Sequence, residues 1–276
     1  MRLKSSTGRA LRVKLANIGL QFLCSLCILT LAVSAHEIGT SDGINIDAVI
    51  NRFPNERLEY DLFYKGMNAA TSQLWFEADS DYVAIIWQAK TKPLAGLLFK
   101  INNRYETIVN LNGRLVQANK TVHQKNISES WQIVYRWDDL VAHTEPNGDW
   151  PILPGCQNIL SMLYDVRCQN LTHGDSIDYL LDVESQIWRL LGIVQDQLDS
   201  DGNLAEQDIV FSFQPAMPIL KRAWKTDLLT NRLARQSSTL VFRFGPEPAR
   251  LPLSIKFGDK SDRVEMRLKK QLLNGH

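Results

Sequence analysis

The sequence predicts a mainly β fold, a strongly curved antiparallel sheet or open β-barrel with one short helix in the middle of the chain. Three observations carry this. Apolar residues alternate with polar ones along most of the chain, turn residues separate the alternating runs, and one stretch near residue 160 changes to helical spacing.

Taken in order, Leu58, Tyr60, Leu62 and Tyr64 recur at every second position, with Glu59, Asp61 and Lys65 between them. That is the period of a strand with one wet face. The stretch 66–69 turns the chain, and Leu74, Phe76 and Ala78 complete a hairpin. Val83, Ile85, Trp87 and Ala89 form a third strand, broken at 92–96. Tyr105, Thr107 and Val109 begin a fourth, which ends at Asn112-Gly113, a strong tight-turn signal. Residues 115–123, 130–137 and 140–144 extend the series. Strands this short and this regularly spaced make an antiparallel meander, not a parallel sheet with helical crossovers.

The stretch 145–155 holds three prolines and two glycines and predicts no regular structure. Asn158 is a helix N-cap candidate, with Ile159, Leu160, Leu163 and Val166 at helical spacing behind it. This helix plugs or flanks the sheet. Strand patterns resume at 177–183, 187–194 and 208–213, with 199–203 as an exposed turn. Residues 217–236 are ambiguous, because Pro215 and Pro218 delay a helix that their Leu, Lys and Arg content favours. Residues 239–244, then Leu253, Ile255 and Phe257, then Val264, Met266 and Leu268 close the series.

Five of the 31 basic residues and none of the 30 acidic ones precede residue 36, so the remainder carries a net charge of −4. A mildly acidic body argues against nucleic acid as a partner, since phosphate neutralisation needs clustered Lys and Arg. The basic start, the apolar run 18–32 and the small residues Val33-Ser34-Ala35 read as a secretory signal peptide over 1–35. An uncleaved membrane anchor is the alternative, because the run approaches spanning length. Residues 36–55 read as a loosely attached lead-in, and 56–272 as a single β-rich domain. The expected compartment is the periplasm, with membrane contact only through the signal peptide before cleavage.

Export would leave Cys156 and Cys168, which an oxidising compartment most simply joins in a disulfide. A continuous helix between them would hold the α-carbons about 18 Å apart, beyond the ~7 Å limit for a bridge. The bond therefore requires a short helix with both flanks folding back; two buried thiols are the alternative.

Three segments resemble a bacterial envelope family known as domain of unknown function 3108. They are Glu56-Arg57-Leu58-Glu59-Tyr60-Asp61-Leu62-Phe63-Tyr64-Lys65-Gly66, the helix 158–167 with its Ser161, Tyr164 and Arg167 followed by Gly174-Asp175, and Arg250-Leu251-Pro252-Leu253. The resemblance implies a signal-bearing, mostly antiparallel β protein and no catalytic residues. The cysteines bracketing the helix depart from the family pattern, as does the long basic stretch 215–236.

Ser161, Tyr164 and Arg167 share one helix face, and Arg167 suits a carboxylate or another anion. One reading makes this a ligand-anchoring face. The other has Tyr164 pack and Arg167 pair with a local acid such as Asp165 or Asp175, fixing the helix to the sheet. Of the seven tryptophans, Trp87 is in phase with the core. Trp75 is out of phase and Trp150 lies in the Pro/Gly loop, which marks both as contact-surface candidates. No nucleophile elbow surrounds Ser161, no spacing singles out a pair of carboxylates, and no Cys-x-x-Cys spacing survives in the mature chain, so no cofactor or metal is expected. A copper site on His36 is disfavoured by its mobile setting. The expected activity is non-enzymatic binding of an apolar or amphipathic ligand or an envelope partner. A cell-wall or glycan hydrolase and a structural interaction protein are the alternatives.

Overall fold

The computed structural model describes residues 43–93, 100–124, 127–145, 148–183, 185–218, 233, 236–259 and 263–273. The expected signal peptide, the first part of the lead-in and most of the ambiguous 217–236 stretch lie outside them.

Among the described residues, fourteen strands form one antiparallel sheet. They are β1 (Glu56–Tyr64), β2 (Met67–Ala78), β3 (Tyr82–Thr91), β4 (Ile101–Asn110), β5 (Leu115–Gln124), β6 (Ile127–Arg136), β7 (Val141–Thr144), β8 (Gly148–Pro151), β9 (Ser176–Val183), β10 (Gln186–Leu198), β11 (Leu204–Pro215), β12 (Thr239–Phe244), β13 (Pro252–Gly258) and β14 (Val264–Leu273). Each strand pairs with its sequence neighbour except at one place, and β1 also pairs with β14, so the meander runs through both chain ends. The exception is the seam between β8 and β9. The sheet is therefore not closed; its two edge strands are consecutive in sequence, and Gln157, between them, makes a short parallel bridge to Leu181 on the β9 edge.

Local chemistry sets the turns. Tyr64 pairs with Met67 across Lys65 and Gly66, which adopt φ of 50° and 80°, the twist that matches a two-residue hairpin. The turn is thus tighter than the expected 66–69, and β2 starts earlier. Gly113, with φ 81°, lies within the β4–β5 connection, as Asn112-Gly113 predicts.

Two elements depart from the sequence expectation. The Pro/Gly stretch contains β8, because Gly148 takes φ 85° to reverse the chain and Pro151 ends a four-residue edge strand that needs no N–H there. Residues 46–52, expected within a loose lead-in, form helix α1 (Ile46–Arg52), capped by the Asn45 side chain on the Ala48 N–H. Ile44, Ile46, Val49 and Phe53 are buried, which ties the segment to the core; its apolar spacing is helical but only two turns long.

Helix α2 (Ile159–Cys168) starts at Asn158 as expected. Residues 160–167 are all buried, so the helix is enclosed rather than laid on a surface. It packs against α1, β3, β4 and β9 within the main core, whose inward residues include Leu58, Tyr60, Ile85, Trp87, Phe211 and Phe242. Helix α2 continues to Cys168, and Cys156 and Cys168 are both free thiols. The disulfide expectation is corrected on that ground. Burial pushes the Cys156 thiol well up and that of Cys168 to about 11, so neither is a thiolate at neutral pH.

Candidate ligand-binding hollow

The helix face singled out in the sequence is a structural knot. Ser161 completes a capping box: its N–H bonds Asn158 Oδ1 at 3.1 Å, and the Asn158 N–H bonds its hydroxyl at 3.1 Å. Tyr164 donates to Glu56 Oε1 at 3.2 Å and lies edge-on to Phe53 and Phe76. Arg167, with no exposed side-chain surface, forms a two-pronged pair with Glu56 at 2.6 and 2.8 Å. It also donates from Nε to the Arg250 carbonyl at 3.0 Å, and its guanidinium lies 3.8 Å from the Phe53 ring centre. Arg250 in turn donates to the Gln169 carbonyl and to Gln207 Oε1. Burial is the largest influence and lowers the Arg167 pKa, but the hydrogen bonds and charge of Glu56, with Tyr164 and Tyr60, together raise it, so the ion pair is kept.

Arg167 thus pairs with an acid, but the acid is Glu56, not Asp165 or Asp175. Asp165 instead accepts from Tyr179 at 2.6 Å, and Asp175 caps Thr172. The partner was hidden from local reasoning because it lies 111 positions away. The three segments quoted for the family resemblance meet at this knot. None of Ser161, Tyr164 or Arg167 lines a cavity described below.

The two tryptophans separate. Trp75 does lie on the outer face, as its phase requires, but it is only 7% exposed. With Ala84 and Ile86 it forms a small second cluster, covered by the guanidinium groups of Arg57 at 4.7 Å and Arg104 at 5.5 Å, and its N–H donates to Glu77. Trp150 points inward from β8, is 3% exposed, and donates to Asp182 Oδ2 at 3.3 Å. Tyr135 donates to the same oxygen at 3.1 Å. Burial, then the Asp182 charge, raises the Tyr135 pKa well above 10, so the phenol keeps the proton it donates. These bonds join the two ends of the sheet across the seam by side chains, beside the two backbone bonds that Gln157 makes to Leu180 and Asp182 of β9.

Beside that junction lies a hollow in two chambers. The first, about 110 Å³, is walled by Tyr105, Lys120, Trp131, Tyr135, Trp150 and Asp182 among others. The second, about 60 Å³, is walled by residues such as Leu74, Trp87, Phe242, Ile255, Phe257 and Met266. Tyr105, Ile159, Leu160 and Leu233 line both, so the chambers adjoin along the start of α2. The first is aromatic with polar groups, the second almost wholly apolar. Lys120 stands opposite Tyr105 on β4 and Trp131 on β6, with its ammonium 5.5 and 5.4 Å from their ring centres.

Of the wall, sequence reasoning found only Trp150. Asp182 has the opposite parity to Ile177, Tyr179 and Leu181, so alternation assigns it to water; only the meeting of the sheet ends buries it. The inward parity of Tyr105, which places Lys120 and Trp131 beside it once register is known, was the available signal.

Two carboxylates, Glu106 and Asp182, stand in the wall of the first chamber. The His123–Ser128 bond of 2.9 Å lies apart from it and is exposed. Among the described residues no group of three or more metal-ligating side chains exists, and no helix is long and apolar enough to cross a membrane.

The fold is that of a known β-barrel-like protein. A crystal structure of a β-barrel-like protein of the domain of unknown function DUF1849 from Brucella abortus superposes with a TM-score of 0.54 at 9% identity, over 81% of this chain and 99% of that one. No family model and no curated protein sequence matches the chain. At this identity the likeness concerns fold alone. It supports a β domain of unknown function, and the resemblance to the domain of unknown function 3108 family is not confirmed by it.

Proposed function

We propose that the chain is an exported protein of the bacterial envelope that binds an apolar or amphipathic molecule, without catalysis, in the hollow beside α2. What supports the reading is the adjoining pair of chambers, one with polar groups and one apolar, beside the helix. Protein interiors leave few voids larger than a water molecule, and apolar cavities of about 150 Å³ take up small hydrocarbons.

Trp131 and Trp150 in the wall make the test direct. Titration with decanol, a neutral amphiphile, is expected to change tryptophan fluorescence saturably and to raise the thermal midpoint. Leu160→Trp, which fills the wall common to both chambers, is expected to abolish the fluorescence response. An unsaturable response, or one that survives Leu160→Trp in a folded variant, would overturn the reading.

A further inference from the structure

Every other pair of consecutive strands is joined by a ladder, and so is β1 with β14 along Glu56–Tyr64. Among the described residues no ladder joins β8 to β9. The seam is crossed instead by the backbone bonds of Gln157 to Leu180 and Asp182, each 2.8 Å, and by the Tyr135 hydroxyl and Trp150 indole N–H, which both donate to Asp182 Oδ2. Breaking these bonds releases one short segment, whereas parting a ladder strips a whole strand of its partners.

The hollow stands directly behind the seam. Tyr135, Trp150, Asn158, Asp182, Val183 and Ser185 all belong to the wall of the first chamber. Apart from Leu233, the rest of the described wall of both chambers lies on the laddered strands β2 to β7 and β12 to β14 or on α2. Tyr135, Trp150 and Asp182 are 6, 3 and 8% exposed, so the seam is shut in this structure.

Resting on the binding function proposed above, we propose that the seam between β8 and β9 is the entrance to the hollow, and that Tyr135 and Trp150, meeting on Asp182, are its latch. Admission of a ligand parts β8 from β9 and moves the 150–158 segment outwards, while the ladders stay intact. A hydrogen bond to a carboxylate is among the stronger kinds, so each donor governs how often the seam opens. The walls that hold the occupant are unchanged by it.

Stopped-flow tryptophan fluorescence of decanol association and dissociation, on the full chain, tests this. Tyr135→Phe keeps the ring in the wall and removes one bond of the latch. Both rate constants are expected to rise about tenfold, with their ratio nearly unchanged. Tyr60→Phe removes a buried bond to the Pro252 carbonyl, 3.0 Å long, from a residue that lines neither chamber, and is expected to leave both rates as they are. If Tyr135→Phe fails to fold, site-resolved alkylation of the unmodified chain decides. Cys156, next to Gln157 and 2% exposed, is expected to react through a local opening, at a rate that stays flat in low denaturant. A Cys156 rate that follows global unfolding overturns the inference. Unchanged rates in Tyr135→Phe, a change in one rate alone, or equal acceleration in Tyr60→Phe also overturn it, and leave the binding function standing. Absence of decanol binding overturns both.

Discussion

At the scale of single residues, Glu56 and Arg167 decide how the helix is held. A paired, hydrogen-bonded charge in a dry site contributes little net stability by itself, yet removing one member strands the other without water. Arg167→Met and Glu56→Gln are each expected to cost about 3–5 kcal/mol in chemical denaturation. The double variant should lose clearly less than the two losses combined, and additive losses would contradict a coupled pair. This knot is also where sequence reading was weakest. The kind of role was legible, since a helical Arg on an apolar face needs an acid, but the choice of acid was not. Nothing local distinguishes Glu56 from Asp165, and the selection is made by strand β1 closing against the helix.

Among elements, the strands were the most legible part of the chain. Period-two alternation in β1 to β7 and β9 to β14 states which face is wet, and the turn residues state where each strand ends. Three features were not legible, for different reasons. β8 is hidden by prolines that an edge strand tolerates. α1 is too short to carry a helical period, and the burial of Asp182 depends on where the sheet ends meet. Gly113 shows how the α1 segment is seated. The Ile44 N–H bonds the Gly113 carbonyl at 3.0 Å, and a Cβ on Gly113 would lie 2.0 Å from the Ile44 oxygen. Gly113→Ala combines that clash with a positive φ and is expected to cost about 1–3 kcal/mol in a thermal or denaturant melt. Wild-type stability in that variant would contradict the close crossing.

The β7–β8 hairpin carries a pH response. His143 bonds Asp149 Oδ1 at 2.5 Å and Glu145 at 3.2 Å; the Asp149 bond chiefly raises the histidine pKa, and the histidine lowers that of Asp149. Folded protonated histidine is favoured, so its contribution is complete below the ordinary value near 6.5 and is lost as pH rises through the raised value. The Asp149 contribution is present above its unfolded value and lost as pH falls through the lowered one. An NMR titration of His143 should show a midpoint above that of free histidine, and Asp149→Asn should return it towards that value. A midpoint at or below the free value would contradict the pairing.

For the whole molecule, an antiparallel meander in which β1 also pairs with β14 leaves one seam, and the segment between β8 and β9 turns inward as α2 instead of completing the ladder. The same arrangement that leaves the sheet open also leaves the hollow beside the helix. If the first 35 residues act as a secretory leader, the intact mass of protein recovered from the periplasm should correspond to a chain beginning at His36. A full-length cytosolic chain would contradict export. The most direct measurement of the central claim is native mass spectrometry of that recovered protein. A population carrying one amphiphile per chain, lost when Leu160→Trp fills the hollow, is the predicted result. Only the bare chain mass, with no uptake of added decanol, is the result that would contradict it.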